Sequence, residues 1–438
     1  MSLKTPVKIR TFQRKLYLKA KAEPDYRFYL LYDKVYREDI VFHAYRLAKA
    51  NGGSPGVDGV TFKMIESEGL EEWLSGIRTE LKDKVYKPQP VKRVMIPKAG
   101  GGKRPLGIPT IRDRVAQTAL KLVIEPIFEA DLEDNTYGYR PERSALDAVR
   151  KVHKLLCKGY TDVVDADLSK YFDTIPHQEL MQCLARRIVD RHVLHLIKLW
   201  LKSPVEERDK NGKRRMSGGR KSTRGVPQGG VISPLLANLY INRFLKYWRM
   251  TERDEAFRAH VISYADDFVI LSRGNAASAL QWTREVMERL KLNLNEEKTV
   301  TRDALEESFD FLGYTFGSVW FRKDGTKYMS ACPSRKSAAR LKGKVHFILR
   351  PFEKGPWPEV CGRLNALLRG WCTYFSYGTT QIVYRAVERY VYERVRLFLK
   401  RRHKVRSRGI RRFPSEKVFG EIGVLLPRPM NQANCRVP

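Results

Sequence analysis

The sequence lacks the features that mark membrane, disulfide-stapled and zinc- or iron-binding proteins. No uninterrupted apolar run approaches the roughly 18 residues that a membrane-spanning helix needs. The 6 cysteines are scattered and form no C-x-x-C pair, so neither a zinc module nor a disulfide framework is indicated. Reduced thiols in a cytosolic setting are the simpler interpretation. The 8 histidines form no cluster, which disfavours zinc or iron chemistry.

Acidic residues are scarce relative to basic ones. The 49 Asp and Glu face 83 Lys and Arg, which leaves a net charge of +34 over 438 residues. So many positive charges repel one another unless a polyanion binds to the surface, and nucleic acid is the usual polyanion. A membrane surface fits less well, because the basic residues are spread along the chain and not confined to one amphipathic helix. The N-terminus is basic without an apolar stretch, which leaves a transit-like or an RNA-binding arm as alternatives.

Hydrophobic spacing predicts a mixture of helices and strands up to about residue 316 and helices beyond about 335. Two β-like runs, 91–97 and 104–109, predict a hairpin whose glycine-rich tip carries Lys98, Lys103 and Arg104. That tip suits phosphate binding, and a mobile solvated loop is the alternative. A basic, glycine-containing insertion fills 208–224. Helices are predicted over 25–50, 62–83, 111–130, 141–158, 277–292, 335–350, 358–375 and 380–404.

The stretch from Ala259 to Ser272, AHVISYADDFVILS, predicts a β-hairpin with Asp266 and Asp267 at its tip. A second β-branched run, Tyr160 to Asp167, also ends in carboxylates. These carboxylates would meet if the two strands are neighbours in one sheet. Two-metal phosphoryl transfer requires such a cluster, and Mg²⁺ needs only one or two carboxylates beside phosphate and water oxygens. An ordinary Asp-containing turn is the alternative for the hairpin alone.

Four short motifs resemble those of reverse transcriptases and stand in that family's order. They are Tyr264-Ala-Asp-Asp267, Asp167-Leu-Ser-Lys-Tyr-Phe172-Asp173, Val226-Pro-Gln-Gly-Gly230 with Ser233-Pro234, and Ile96-Pro-Lys98 with Arg104-Pro-Leu-Gly-Ile-Pro109. Ser54-Pro-Gly-Val-Asp-Gly59 resembles the extra N-terminal block of non-LTR-type enzymes. Leu368-Arg-Gly-Trp371 with Tyr374-Phe375 resembles the thumb, or maturase domain X. The sequence is therefore similar to group II intron-encoded reverse transcriptase/maturases.

This resemblance implies an α+β right-hand polymerase fold of fingers and palm, followed by an α-helical thumb/maturase domain. The implied divisions are a basic N-terminal arm with the extension block at 1–85, fingers and palm at 86–318, thumb at 335–404, and a basic C-terminal segment at 405–438. A vestigial DNA-binding region is the candidate role of that last segment. Family members with an H-N-H endonuclease carry paired cysteines after the thumb, and this sequence ends before such a pair. We therefore do not expect this chain to cleave a second DNA strand.

The family's functional residues transfer to matching positions of this sequence. Asp167, Asp266, Asp267 and the backbone carbonyl of Leu168 would hold two Mg²⁺ ions. Lys98, Arg104, Phe172 and Gln228 would bind the dNTP, with core packing as the alternative for Phe172. Tyr264 would contact the primer end, and Lys298 would assist pyrophosphate departure. Separately from the resemblance, the basic face of the last long helix, with aromatic residues interleaved nearby, predicts RNA binding through Arg394, Arg396, Lys400, Arg401, Arg402 and Lys404. An ordinary solvated face is the alternative for such a charge run.

The function that the resemblance implies is RNA-dependent DNA synthesis, joined to binding of the parent intron RNA for splicing and retrohoming. The expected partners are intron RNA, an RNA template with a DNA primer, and target DNA. The expected location is the cytoplasm, as a ribonucleoprotein that joins the nucleoid when it acts on DNA. A splicing-only RNA-binding maturase is the first alternative, although the intact carboxylates and PQG turn disfavour it. A free-standing domesticated reverse transcriptase in repair or defence is the second alternative. The sequence alone does not distinguish it from the intron-encoded enzyme.

Overall fold

The computed structural model describes residues 3–97, 102–208, 213–320 and 325–430. The described chain mixes helices and strands as far as Pro333 and is helical beyond it, as the α+β prediction requires. The helices are α1 (Val7–Ala22), α2 (Tyr32–Val35), α3 (Glu38–Asn51), α4 (Phe62–Glu68), α5 (Leu70–Lys82), α6 (Ile111–Glu129), α7 (Ala145–Cys157), α8 (Tyr171–Thr174), α9 (His177–Ala185), α10 (Arg191–Leu201), α11 (Ser233–Met250), α12 (Arg253–Ala256), α13 (Ala276–Arg289), α14 (Arg335–Ile348), α15 (Trp357–Tyr374), α16 (Gln381–Arg402) and α17 (Ser415–Phe419). The strands are β1 (Val91–Pro97), β2 (Lys103–Ile108), β3 (Asp162–Asp167), β4 (Pro204–Arg208), β5 (Arg214–Gly218), β6 (Ala259–Tyr264), β7 (Asp267–Ser272), β8 (Val300–Asp303), β9 (Phe309–Phe311), β10 (Tyr314–Trp320) and β11 (Lys327–Pro333).

Three predicted elements differ from the observed ones. The single helix expected over 25–50 is wrong, because residue 28 instead pairs with 187–189 and the Asp190 carboxylate accepts the backbone N–H groups of Leu31 and Tyr32. The helix expected over 62–83 is interrupted at Gly69, whose φ of 116° favours glycine. No helix or strand was predicted in the insertion at 208–224, but this segment contains β5, which pairs with β4.

The N-terminal arm is helical and packs against the body of the protein. Helix α1 lies against α6, and its Ile9 and Ala20 are buried. The Gln13 side chain donates a 2.9 Å hydrogen bond to the carbonyl of Leu122. The sequence indicated the charge of this segment but did not predict its helix.

The central sheet has the strand order β6-β7-β3-β8 and is buried on both faces. Val164 and Ile270 face a core that includes α6 and α11, whereas Val163 and Val269 face a second core that includes α7 and β9 to β11. Successive side chains of a strand point to opposite faces, so a strand buried on both faces reads as a continuous apolar run. This burial explains the composition of the stretch Ala259 to Ser272.

A second sheet, of order β2-β1-β4-β5, carries the predicted glycine-tipped hairpin. Strand β1 is antiparallel to β2 and parallel to β4, so the β4–β5 hairpin extends this sheet. The third sheet, of order β11-β10-β9, lies between the central sheet and the C-terminal helices.

Helices α14, α15 and α16 pack around their own apolar core. Val391 and Val395 of α16 share this core with Leu364 and Leu368 of α15. The hydroxyl of Tyr374 at the end of α15 donates to the carbonyl of Leu312 at 2.7 Å, which ties this bundle to the third sheet. In the described ranges no helix is both long and apolar enough to cross a membrane.

Candidate active site

The two carboxylate segments meet in the central sheet, as the sequence predicted. Strand β3 is antiparallel to β7, and Asp167 is the direct cross-strand partner of Asp267. Asp266 lies in the two-residue turn between β6 and β7. Ala265 in the same turn has a φ of 60°, a left-handed conformation that tightens the hairpin. The structure therefore brings all three predicted aspartates to one end of the sheet.

Two carboxyl groups near this end of the sheet, those of Asp267 and Asp165, have raised pKa values. Asp267 keeps a solvent-exposed surface, yet crowding by the surrounding protein raises the pKa of its carboxyl to about 7, and the charges of Asp266 and Asp167 act in the same direction. Burial also raises the pKa of Asp165 to about 6, against the opposing effect of Arg302. Because side chains two residues apart share a strand face, Asp165 and Asp167 lie on the same side of β3.

Lys298 contacts the predicted site directly. Its ammonium group donates a 2.6 Å hydrogen bond to a carboxylate oxygen of Asp167, and this bond raises the pKa of Lys298. The side-chain amide of Asn295 donates to the same oxygen at 3.3 Å, and its backbone N–H donates to the Asp167 carbonyl at 2.8 Å. Leu168 is buried and forms a β-bridge with Leu294, so this loop continues the sheet beyond the end of β3.

The chemistry of this donor set fits a divalent cation. Asp167, Asp266 and Asp267 supply oxygen ligands. Burial and then the charges of Asp266 and Asp167 raise the pKa of Asp267, and a cation between the three carboxylates would offset those charges. Among the described residues, no three His, Cys, Asp or Glu side chains are already grouped closely enough to hold a metal ion. Magnesium does not need such a cage, because it completes its octahedral coordination with water and substrate phosphates.

Three of the four predicted dNTP-binding residues surround one open cavity of about 590 Å³. Arg104 of β2, Phe172 of α8 and Gln228 line it, and the Arg104 guanidinium donates a 2.9 Å hydrogen bond to the Gln228 side chain. Phe172 is only 5% exposed and also belongs to the main core, so it packs in the core and borders the cavity. Lys98 lies outside the described residues.

Backbone contacts fix the turn that carries Gln228. Its carbonyl accepts a 2.6 Å hydrogen bond from the N–H of Gly107 in β2, and the N–H of Val226 donates to the carbonyl of Phe172 at 2.7 Å. Gly229 lies so close to the Gly107 carbonyl that no Cβ would fit there. The turn thus joins the β1–β2 hairpin to the segment that follows Asp167.

Tyr264 borders a different cavity, of about 690 Å³, between the central sheet and α15. Arg369, Gly370 and Tyr374 of α15 form its opposite wall. A primer strand that ended at Tyr264 would therefore pass the C-terminal helices.

The predicted RNA-binding residues lie in the second half of α16, on the C-terminal bundle, except Lys404, which follows the end of the helix. Arg401, Arg402 and Lys404 are exposed. Two of the others make internal contacts: Arg394 with His346 at 2.5 Å, and Arg396 with the Arg408 carbonyl at 2.5 Å. Arg402 donates to the carbonyl of residue 355 at 2.8 Å.

Sequence reasoning assigned no role to three residues that the structure places at the site. Asp165 adds a fourth carboxylate to the group. Asp173 accepts 3.4 Å hydrogen bonds from the Gln228 amide. Tyr139 lines the same cavity as Phe172. The alternation in β3 could have indicated Asp165, but only the folded chain brings Tyr139 to the cavity.

Comparison with known proteins agrees with this geometry. Residues 96–316 match the family described as "Reverse transcriptase (RNA-dependent DNA polymerase)". Residues 338–413 match the "Group II intron, maturase-specific domain".

Curated relatives are similar over most of the chain. Protein YkfC of Escherichia coli (strain K12) is 35% identical over 366 residues, which cover 75% of this chain and 93% of that protein. The group II intron-encoded protein LtrA of Lactococcus lactis subsp. cremoris is 28% identical over 382 residues, covering 73% of this chain and 61% of LtrA. A solved telomerase from Candida albicans has a TM-score of 0.44 at 13% identity, over 80% of this chain and 67% of that chain.

Proposed function

The chain belongs to the group II intron-encoded reverse transcriptase/maturase family and is an RNA-directed DNA polymerase, and we propose a two-Mg²⁺ mechanism for it. In this mechanism, the protein extends a DNA primer on an RNA template at a site formed by Asp167, Asp266 and Asp267. Membership confirms the expected right-hand polymerase fold. The family uses divalent metal ions, and the number and identity of the ions are part of the proposal. The domain boundaries given above stay predictions.

The observation that carries the proposal is the register of β3 and β7, which sets Asp167 opposite Asp267, next to Asp266 in the turn. Carboxylates at these positions supply hard oxygen ligands to cations that also bind the substrate phosphates. Bound there, two ions would activate the primer 3′-hydroxyl and neutralise charge on the attacking and leaving oxygens. The backbone carbonyl of Leu168 would supply a further oxygen.

The cavity beside the carboxylates is the proposed dNTP site. The Arg104 guanidinium binds the triphosphate by charge-assisted hydrogen bonds, and its own bond to Gln228 orients both side chains. Phe172 borders the cavity where it would pack under the sugar and exclude a 2′-hydroxyl. The Lys298 ammonium, held beside Asp167, would neutralise the departing pyrophosphate. Lys98 remains a predicted triphosphate ligand.

Intron RNA is the proposed second ligand, bound to promote splicing and retrohoming. The match to the maturase-specific domain supports a role in splicing, and the basic residues of α16 lie within the matched range. Twelve Lys or Arg and only two Glu lie from Arg385 to Arg412. Target DNA and a cytoplasmic ribonucleoprotein form belong to the same proposal.

Primer extension tests the polymerase. The purified protein is given a DNA primer on an RNA template with Mg²⁺ and dNTPs, beside the Asp266→Ala variant and an Asp254→Ala control. Asp254 is an exposed carboxylate of α12, outside the site. We expect extension by the parent and the control and none by Asp266→Ala. If none of the three extends the primer while structured RNA still binds tightly, the protein is a splicing-only maturase.

A further inference from the structure

Tyr139 is an exposed aromatic residue on the wall of the proposed dNTP cavity. The cavity is also lined by Arg104, Phe172 and Gln228, and 47% of the Tyr139 surface is open to solvent. Its φ of 57° lies in the left-handed region, which non-glycine residues seldom adopt. A large residue in that conformation persists only where its surroundings hold it, and such residues cluster at functional sites.

The residue before Tyr139 is fixed against the turn between β6 and β7, which consists of Ala265 and Asp266. A Cβ on Gly138 would come within 2.5 Å of the Ala265 nitrogen, so the two backbones are in direct contact. The Asn238 amide donates a 2.6 Å hydrogen bond to the Gly138 carbonyl. The N–H of Tyr137 donates to the carbonyl of Ser263 at 2.9 Å, which adds this segment to the edge of β6. The position of Tyr139 is therefore set relative to Asp266.

The residue after Tyr139 is fixed by a buried ion pair. The Arg140 guanidinium lies 2.6 Å from the Glu129 carboxylate, and both side chains are largely buried. It also donates hydrogen bonds to the carbonyls of Glu133 at 2.7 Å and Thr136 at 3.0 Å. The turn thus folds around the Arg140 guanidinium, whose contacts hold the backbone next to Tyr139 in place.

The ring of Tyr139 contributes little to this packing. Its neighbours Gly138 and Arg140 make the contacts that hold the turn, whereas about half of the Tyr139 surface is open at the cavity. Burial raises the pKa of its phenol, and the charge of Asp266 adds to that effect. The ring thus borders the open cavity, and its backbone is held next to the turn that carries Asp266.

We infer that Tyr139 is a specificity-determining residue whose ring packs against the nascent pair of templating base and incoming dNTP. Every base has a π-face that an aromatic ring contacts without regard to sequence, so such a ring serves all four dNTPs. A rigid ring beside the pair would favour the shape of a correct pair over that of a mismatch. This inference rests on the proposed polymerase function.

The test compares Tyr139→Gly and Tyr139→Phe with the parent in single-nucleotide incorporation on an RNA template. Glycine adopts a positive φ without strain, so Tyr139→Gly removes the ring and keeps the turn. Glu142→Gly is the matched control, because Glu142 is also exposed and has a φ of 59° but does not line the cavity. The dNTP KM, kcat and the ratio of wrong to right insertion are measured for each.

We expect Tyr139→Gly to raise the KM for the correct dNTP about tenfold, as the loss of one base–aromatic contact implies, and to raise misinsertion. Its kcat at saturating dNTP and its RNA affinity should stay near those of the parent, and Tyr139→Phe and Glu142→Gly should match the parent throughout. An unchanged KM and misinsertion ratio in Tyr139→Gly would overturn the inference, as would equal damage in Tyr139→Phe. If the parent incorporates nothing, the proposed function fails and the inference falls with it.

Discussion

The Lys298 ammonium group lies 2.6 Å from a carboxylate oxygen of Asp167, at the end of β3. The hydrogen bond raises the pKa of Lys298, so the lysine stays protonated over the whole neutral range. In the proposed mechanism, this ammonium group would stabilise charge on the leaving pyrophosphate.

Replacing Lys298 should slow nucleotide addition without weakening RNA binding. We expect Lys298→Ala to lower kcat at least about tenfold, because positioned proton donors contribute about 100-fold or more, and Lys298→Arg to retain part of the rate. Single-turnover incorporation measures the effect. Lys291→Ala is the control, since Lys291 is a half-exposed lysine that pairs with Glu179 and not with Asp167. A parent-like rate in Lys298→Ala would remove Lys298 from the mechanism.

Gly138→Ala should impair catalysis by displacing the backbone of the turn that carries Asp266. The added Cβ would lie 2.5 Å from the Ala265 nitrogen, so the turn that holds Asp266 must shift. We expect a large loss of primer extension with RNA affinity retained. Gly76→Ala in α5 is the matched control, because nothing lies within 4 Å of the added Cβ there. Full activity of Gly138→Ala would mean that the turn tolerates the shift.

The sequence predicted the parts of the structure that depend on local pattern. An apolar run ending in aspartate indicated β3, and two apolar runs flanking Asp266 and Asp267 indicated β6 and β7. The structure confirms that β3 and β7 are neighbours. Helix α6 also agrees with its expected range, and the Thr110 side chain caps its N-terminus by accepting from Asp113 at 3.1 Å. Local spacing carries enough information for these elements.

Features that depend on distant residues were missed. The start of α2 depends on the Asp190 carboxylate, more than a hundred residues downstream, and β4 requires β1 as its parallel partner. Tyr139 joins the site only because its turn pairs with β6. A hydrophobic pattern indicates that its own segment is buried, but it does not identify the segment against which it packs.

Asp190 should be essential for docking the N-terminal helices. Its carboxylate accepts backbone hydrogen bonds from Leu31 at 3.0 Å, Tyr32 at 2.8 Å and His192 at 3.0 Å, and it also caps α10. Asp190→Ala leaves buried donors without a partner, so we expect the free energy of unfolding to fall by roughly 2–3 kcal/mol. Urea denaturation measures it. Asp190→Asn keeps one acceptor oxygen and should lose less; equal midpoints for all three proteins would refute this role.

Binding of structured RNA should weaken steeply with salt. The net charge is +34, and each phosphate that a Lys or Arg neutralises releases counterions whose return opposes binding at high salt. Filter binding between low and physiological salt gives the slope of the logarithm of RNA affinity against the logarithm of salt concentration. We expect Lys400→Ala combined with Arg401→Ala on α16 to reduce both the affinity and the slope, whereas Asp254→Ala should change neither. A flat salt response of the parent would argue against a phosphate-dominated interface.

The central claim is that the carboxylates joined by β3 and β7 bind the metal ions of DNA synthesis. The most direct measurement is single-dNTP incorporation on an RNA template across a range of Mg²⁺ concentrations, for the parent and Asp266→Asn, with RNA affinity measured on the same preparations. Asparagine keeps the size of aspartate and removes its charge. We predict Mg²⁺-dependent incorporation by the parent and none by Asp266→Asn at any Mg²⁺ concentration, with equal RNA affinity. Incorporation by Asp266→Asn at the parent rate and the parent's Mg²⁺ dependence would contradict the claim.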